Sequence, residues 1–153
     1  IHLGGRVGVL IEVNCETDFV AKTDAFKEFV RDMAMQVAAS KPEYVSREDI
    51  PQNVIDGEKE IYMAAARNEG KPEQVLERIV TGRMEKFFQE SCLMEQAFIK
   101  DTDKTVTQVL QELIAQLGEN MAIRRFVRFE RGEGLAKRDD CDFAAEVMAE
   151  LNK

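Results

Sequence analysis

The chain has 153 residues, 44% hydrophobic and 33% charged, with a formal net charge of −8 and a pI near 4.8. That supports one ordinary domain with a real core. Its longest apolar runs are a few residues, far short of the roughly 20 a membrane helix needs, and its negative field repels a phosphate backbone, so no nucleic acid and no membrane are expected and a protein partner is.

In chain order, Gly4-Gly5 suits a tight hairpin turn between residues 1–3 and the strand that follows. The pair lacks the Gly-Lys-Ser/Thr ending of a phosphate loop and feeds a strand instead of a helix, so that reading is set aside. Val7, Val9, Ile11, Val13 and Cys15 then alternate with Gly8, Leu10, Glu12, Asn14 and Glu16, the pattern of a half-buried strand. The alternation stops at Thr17-Asp18, two residues that cap helices. Phe19 and Val20 follow at once, and the residues alone leave Phe19 either in the core or offered to a partner as a knob.

Thr23 caps a predicted helix whose stripe is Phe26, Phe29, Val30, Met33 and Val37, and Pro42 closes that region. Residues 46–51 read as a capped turn stopped by Pro51, and residues 53–67 as a second helix marked by Val54, Glu58, Ile61, Tyr62 and Ala65. Pro72 opens a third helix with Val75, Leu76, Ile79, Val80, Met84, Phe87, Phe88 and Cys92 on a wide apolar face. Gly82 in its middle marks a close contact or a tolerated defect. Residues 96–99 leave that helix, and residues 100–103 read as a polar loop.

Thr105 and Gln108 form a capping box ahead of Val106, Val109, Leu110, Leu113, Ile114 and Leu117, with Gly118 at the exit. Residues 120–131 return to strand chemistry, with Met121, Ile123, Val127 and Phe129 assigned to one side and Arg124, Phe126, Arg128 and Glu130 to the other. Residues 140–151 read as a short helix that must dock to persist. The whole predicts an α+β domain: an antiparallel sheet of about three strands packed against helices, with the first and last strands in one sheet. Residues 1–134 form the core and residues 135–153 a tail with a short helix.

Enzymatic chemistry finds little support. Glu12, Glu16 and Asp18 could face one another as an acid/base set, but solvated strand charge is the simpler reading. His2 is the single histidine: a serine triad would have to use it, at a frayed terminus, and no credible zinc set is available, so no cofactor is expected. Cys15, Cys92 and Cys141 lie far apart, outside any Cys-x-x-Cys spacing, and are read as reduced thiols. Arg124, Arg125, Arg128 and Arg131, interleaved with Phe126 and Phe129, resemble an RNA-binding strand, against which stand the global charge and the acidic partners Glu12 and Glu16.

Val-Asn-Cys-Glu-Thr-Asp-Phe-Val-Ala at residues 13–21 resembles the signature segment of elongation factor Ts, the guanine-nucleotide exchange factor of bacterial-type translation. Residues 78–87 with 92–98, and residues 117–120 with 125–134, are similar to two further stretches of that family in the same order. The resemblance implies an antiparallel-sheet core module, called the dimerisation domain, without the N-terminal ubiquitin-associated-like helices of the family, so the chain is expected to begin inside the core. It implies a partner, elongation factor Tu, both GDP-bound and nucleotide-free, and a homodimer formed through the sheets. The partner-binding residues it implies are Thr17, Asp18, Phe19 and Val20. Phe19 would enter an apolar pocket of the partner's nucleotide-binding domain and disturb the magnesium and phosphate contacts of GDP, without covalent chemistry. Arg125 and Phe126 are expected on a secondary partner or dimer surface. The alternative is a ribosome- or RNA-associated structural module. The implied location is the bacterial cytoplasm or the plastid stroma.

Overall fold

The amide of His2 donates to the Val7 carbonyl at 2.9 Å, and Gly4 and Gly5 between them hold φ of 65° and 75°. Two consecutive left-handed positions are what a tight hairpin needs and what side chains resist. In this computed structural model residues 1–2 and 4–135 are described; the helix predicted at 140–151 and Cys141 lie outside them.

The hairpin delivers the chain into β1 (Val7–Cys15), which pairs antiparallel with β4 (Met121–Glu130), so that the first and last described strands share a sheet as predicted. The elements between them are α1 (Asp18–Ala21), α2 (Asp24–Ser40), α3 (Gln52–Asn68), α4 (Glu73–Ser91), β2 (Ala97–Phe98), β3 (Asp101–Thr105) and α5 (Val106–Leu117), with 3₁₀ turns at Arg47–Asp49 and Leu93–Glu95. The α+β class holds. The strand inventory differs from about three in one sheet: among the described residues there are two antiparallel pairs, β1 with β4 and β2 with β3. Residues 100–103, expected as a loop, turn the second pair and form most of its β3 strand. Asp-Thr-Asp-Lys-Thr carries no apolar alternation, so no period-two signal announces it.

Val9, Ile11, Val13 and Cys15 from β1 pack against a core built from Phe26, Phe29, Met33 and Val37 of α2, Leu110 and Leu113 of α5, and Met121 and Ile123 of β4. The α2 residues are the predicted stripe. Thr23 caps this helix by accepting from the Phe26 amide at 3.2 Å. Its far end is tied to the end of β4. Lys41, left-handed at φ 49°, contacts Glu130 at 2.7 Å, and Arg128 reaches both Glu130 at 2.8 Å and the Ala38 carbonyl at 3.4 Å. The two cations hold the Glu130 carboxyl below the usual carboxylate range, Lys41 more than Arg128.

Gln36 is fully buried and fully used. Its Oε1 accepts from the Ile99 amide at 2.8 Å, and its Nε2 donates to the Ala97 carbonyl and to Gln96 Oε1, each at 3.1 Å. Arg47 makes a second junction, contacting Glu95, lying 2.6 Å from Glu85 and stacking 4.4 Å above the Phe88 ring. That holds the turn after Ser46 against the C-terminal half of α4.

Helix α3 packs along α4 as a hairpin. Ala66 is its one buried residue, and Ile61, expected on its apolar stripe, points to solvent. The apolar side chains that turn inward on α4 are Leu76, Val80 and Met84. Gly82 faces open space, with no atom within 4 Å of where a Cβ would stand, which decides its role as a tolerated defect. Gly82→Ala is therefore expected to stabilise the fold by about 0.5–1 kcal/mol through helix propensity, read as a rise in the urea midpoint with an unchanged slope.

Candidate partner-binding site

At the end of β1 the backbone stays extended through Thr17, with φ −132° and ψ 153°, and then turns into α1. Four residues cannot hold a helix by their own hydrogen bonds, so α1 is secured from outside. The Thr17 hydroxyl oxygen accepts from the Val20 amide at 3.4 Å. Val20, 7% exposed, is anchored in the main core. Thr23 closes the other side, its amide and hydroxyl donating to the Val20 carbonyl at 3.0 Å and 2.7 Å, and itself caps α2. Between these two pins Phe19 stands 84% exposed. Phe19 is thus not a core residue, and Val20 beside it is the one that is buried.

Asp18 is exposed beside Phe19, in the first turn of α1, and makes no ion pair among the described residues. A carboxylate there suits the free amides of the turn while remaining available to the outside. Thr17, Asp18, Phe19 and Val20 are thus brought together, but with divided duties. Thr17 and Val20 build the platform; Asp18 and Phe19 are what it presents.

A residue that sequence reasoning read only as part of a helix exit completes the platform. Glu119 follows Gly118, whose φ of 73° ends α5, and its carboxylate grips both donors of Thr17. The Thr17 amide lies 3.1 Å from Oε2 and the hydroxyl 2.5 Å from Oε1. Next door the Asn120 amide donates to Glu16 at 3.4 Å. No period or cap signal links positions 102 residues apart; the hint available was that 117–120 and 13–21 both carry the family resemblance.

Arg125 and Phe126 are neighbours on β4 and turn to opposite faces of the sheet, Arg125 exposed and Phe126 half-buried. The β1–β4 register shifts between Glu12, opposite Arg125, and Val13, opposite Ile123, leaving Arg124 as the extra residue of a bulge. One extra residue reverses every later side chain. Phe126 therefore turns inward and packs on the core, while Val127 and Phe129 turn outward, the reverse of the predicted faces. Outside, Leu10 lies opposite Val127 and Gly8 opposite Phe129, making an exposed apolar strip in which Leu10 is 73% and Phe129 66% accessible. Arg125 borders this strip.

The pairing does not favour the RNA-binding strand either: Phe126 and Phe129, three residues apart on one uninterrupted stretch of β4, lie on opposite faces. Arg124 and Arg125 both reach Glu12, at 2.7 and 2.6 Å, and these bonds hold the Glu12 carboxyl below the usual carboxylate range. Arg128 is committed to Ala38 and Glu130. The acid/base set does not assemble either: Glu12 is held by arginines, Glu16 by a backbone amide and Asp18 by none of these. Burial pushes the Cys92 thiol up to about 11, far from a reactive thiolate. Among the described residues no group of three metal-ligating side chains forms, and no helix is long and apolar enough to cross a membrane.

What these residues define is an α+β module that holds one phenylalanine and one aspartate out on a doubly anchored turn at the end of its main sheet. Residues 1–133 match the protein family described as Elongation factor TS. The chain is 66% identical to the elongation factor Ts of Carboxydothermus hydrogenoformans over 151 residues, covering 99% of the chain and 69% of that relative. It is 63% identical to that of Heliobacterium modesticaldum over 153 residues, covering 100% and 71%, and 63% identical to that of Syntrophomonas wolfei over 151 residues, covering 99% and 70%. The chain belongs to the elongation factor Ts family of translation elongation factors.

The burial pattern separates the two apolar residues of the turn in a measurable way. Phe19→Ala is expected to leave folding stability within about 0.5 kcal/mol of the unmodified chain, whereas Val20→Ala is expected to cost about 1.5–3 kcal/mol. Urea unfolding of the two variants side by side checks the division.

Proposed function

We propose that the chain is a guanine-nucleotide exchange factor that binds elongation factor Tu carrying GDP and promotes GDP release, and that it acts without covalent chemistry. The observation that carries this reading is Phe19, a large apolar side chain held 84% exposed by a fixed turn inside the segment that resembles the family signature. An exposed phenylalanine costs a free protein solubility and is useful when a partner's apolar pocket receives it. In this reading Phe19 enters such a pocket on the nucleotide-binding domain, and Asp18 approaches beside it, so that the magnesium and phosphate contacts of GDP are disturbed.

Exchange of this kind is linkage. If binding of the factor weakens GDP by some ratio, GDP weakens the factor by the same ratio, so the nucleotide-free partner must be bound more tightly than the GDP complex. Burying Phe19 supplies about 1.5–3 kcal/mol, roughly ten- to a hundredfold in an equilibrium constant. Any larger effect has to come from surface around it. The family membership and the bacterial sources of the relatives named above support a bacterial cytoplasm over the plastid stroma.

The test is release of fluorescent GDP from elongation factor Tu. The unmodified chain is expected to accelerate it, Phe19→Ala to lose about ten- to a hundredfold of the acceleration, and Asp18→Ala to lose part. If the folded variants match the unmodified chain, the roles assigned to these residues fall.

The outward strip of Leu10, Val127 and Phe129 supports a second use of the sheet, contact with another copy of this chain, with Arg125 at its border. Phe129→Glu is expected to shift a dimer to monomer in multi-angle light scattering; an unmodified chain that is monomeric throughout removes this reading.

A further inference from the structure

Thr17 must do two things at once to hold the Phe19 turn: its hydroxyl oxygen has to point a lone pair at the Val20 amide, and its backbone has to stay extended up to the first residue of α1. A free threonine hydroxyl rotates, and its proton has no fixed acceptor. Glu119 removes that freedom. By accepting the hydroxyl proton at 2.5 Å it leaves the lone pairs for the Val20 amide, 3.4 Å away. By accepting the Thr17 amide at 3.1 Å it fixes the residue's backbone at the point where strand becomes helix. Both bonds are to a carboxylate and are therefore stronger than neutral ones. The carboxylate comes from a different part of the fold, the exit of α5, which α5 itself seats against the core through Leu110 and Leu113.

From this relay, Glu119 carboxylate to Thr17 hydroxyl to Val20 amide, we infer that Glu119 is a positioning residue for partner engagement: it does not touch the partner but sets the direction in which Phe19 is offered. The inference rests on the reading of Phe19 as the group that engages elongation factor Tu. A purely structural role for Glu119 would lower stability whatever residue stood at position 19. A positioning role has value only while there is a phenylalanine to position.

That difference is measurable in a double-mutant cycle on GDP release, using the full chain. Glu119→Ala alone is expected to reduce the stimulated rate roughly five- to thirtyfold, and Glu119→Gln, which keeps one accepting oxygen, to fall between. In a Phe19→Ala background Glu119→Ala is expected to lose less than about twofold more. Independent losses that multiply would overturn the inference. Amide hydrogen exchange on the isolated chain supplies a readout separate from the partner. Protection of the Thr17 and Val20 amides is expected to drop in Glu119→Ala while that of α2 and α5 stays. Unchanged protection at Thr17 and Val20 overturns the positioning contact. Should Phe19→Ala release GDP as fast as the unmodified chain, it is the exchange reading that fails, and the amide exchange result alone then decides whether Glu119 orders the turn.

Discussion

The register of β1 against β4 is the constraint from which the rest of the molecule follows. These strands are the first and last of the described chain, and their pairing closes a loop of more than a hundred residues, an entropic cost that only a well-packed sheet face offsets. The bulge at Arg124 sits in the middle of that pairing. Before it, Met121 and Ile123 face the helices; after it, Phe126 and Arg128 do. The bulge thus lets a single strand serve the core at its start and anchor the end of α2 at its finish, where Arg128 takes the Ala38 carbonyl and Lys41 meets Glu130. It also decides that Val127 and Phe129 are left outside.

The presented turn inherits its rigidity from this arrangement. Strand β1 ends in line with the exit of α5, so the last residues of one and the first residues after the other meet, Glu16 with Asn120 and Thr17 with Glu119. A four-residue helix therefore has covalent support from β1 and α2 and lateral support from the α5–β4 connection. Ordering a side chain at an interface is one of the costs of association; here the backbone beneath Phe19 has been ordered before any partner arrives.

Much of this was legible in the sequence, and the failures share a cause. Thr23, Thr105 with Gln108, Gly4-Gly5 and the stripe of α2 each act within one or two turns of chain, and each was found where expected. The strand β1 was legible for the same reason. What local pattern could not carry was anything decided by pairing. The faces of β4 were misassigned because a bulge breaks period two without leaving a mark in residue type. The β2–β3 pair was missed because its residues are polar and few. Phe19 could not be placed by periodicity at all, since a capped turn has no face of its own; resemblance pointed outward, and the burial of Val20 beside it supplied the physical reason. Glu119 escaped because its role lies wholly in a contact across the fold.

Gln36 shows how the helical layer also guards the sheet layer. Its carboxamide accepts the amide of Ile99 and donates to the carbonyl of Ala97, two groups of one strand edge spaced as a neighbouring strand would meet them. A side chain thus impersonates one peptide unit of a missing strand. Open edges of this kind recruit other chains, and a two-residue strand has little else to protect it. The outer border of the small hairpin is sealed from within, by a helix that needs no backbone of its own to do so.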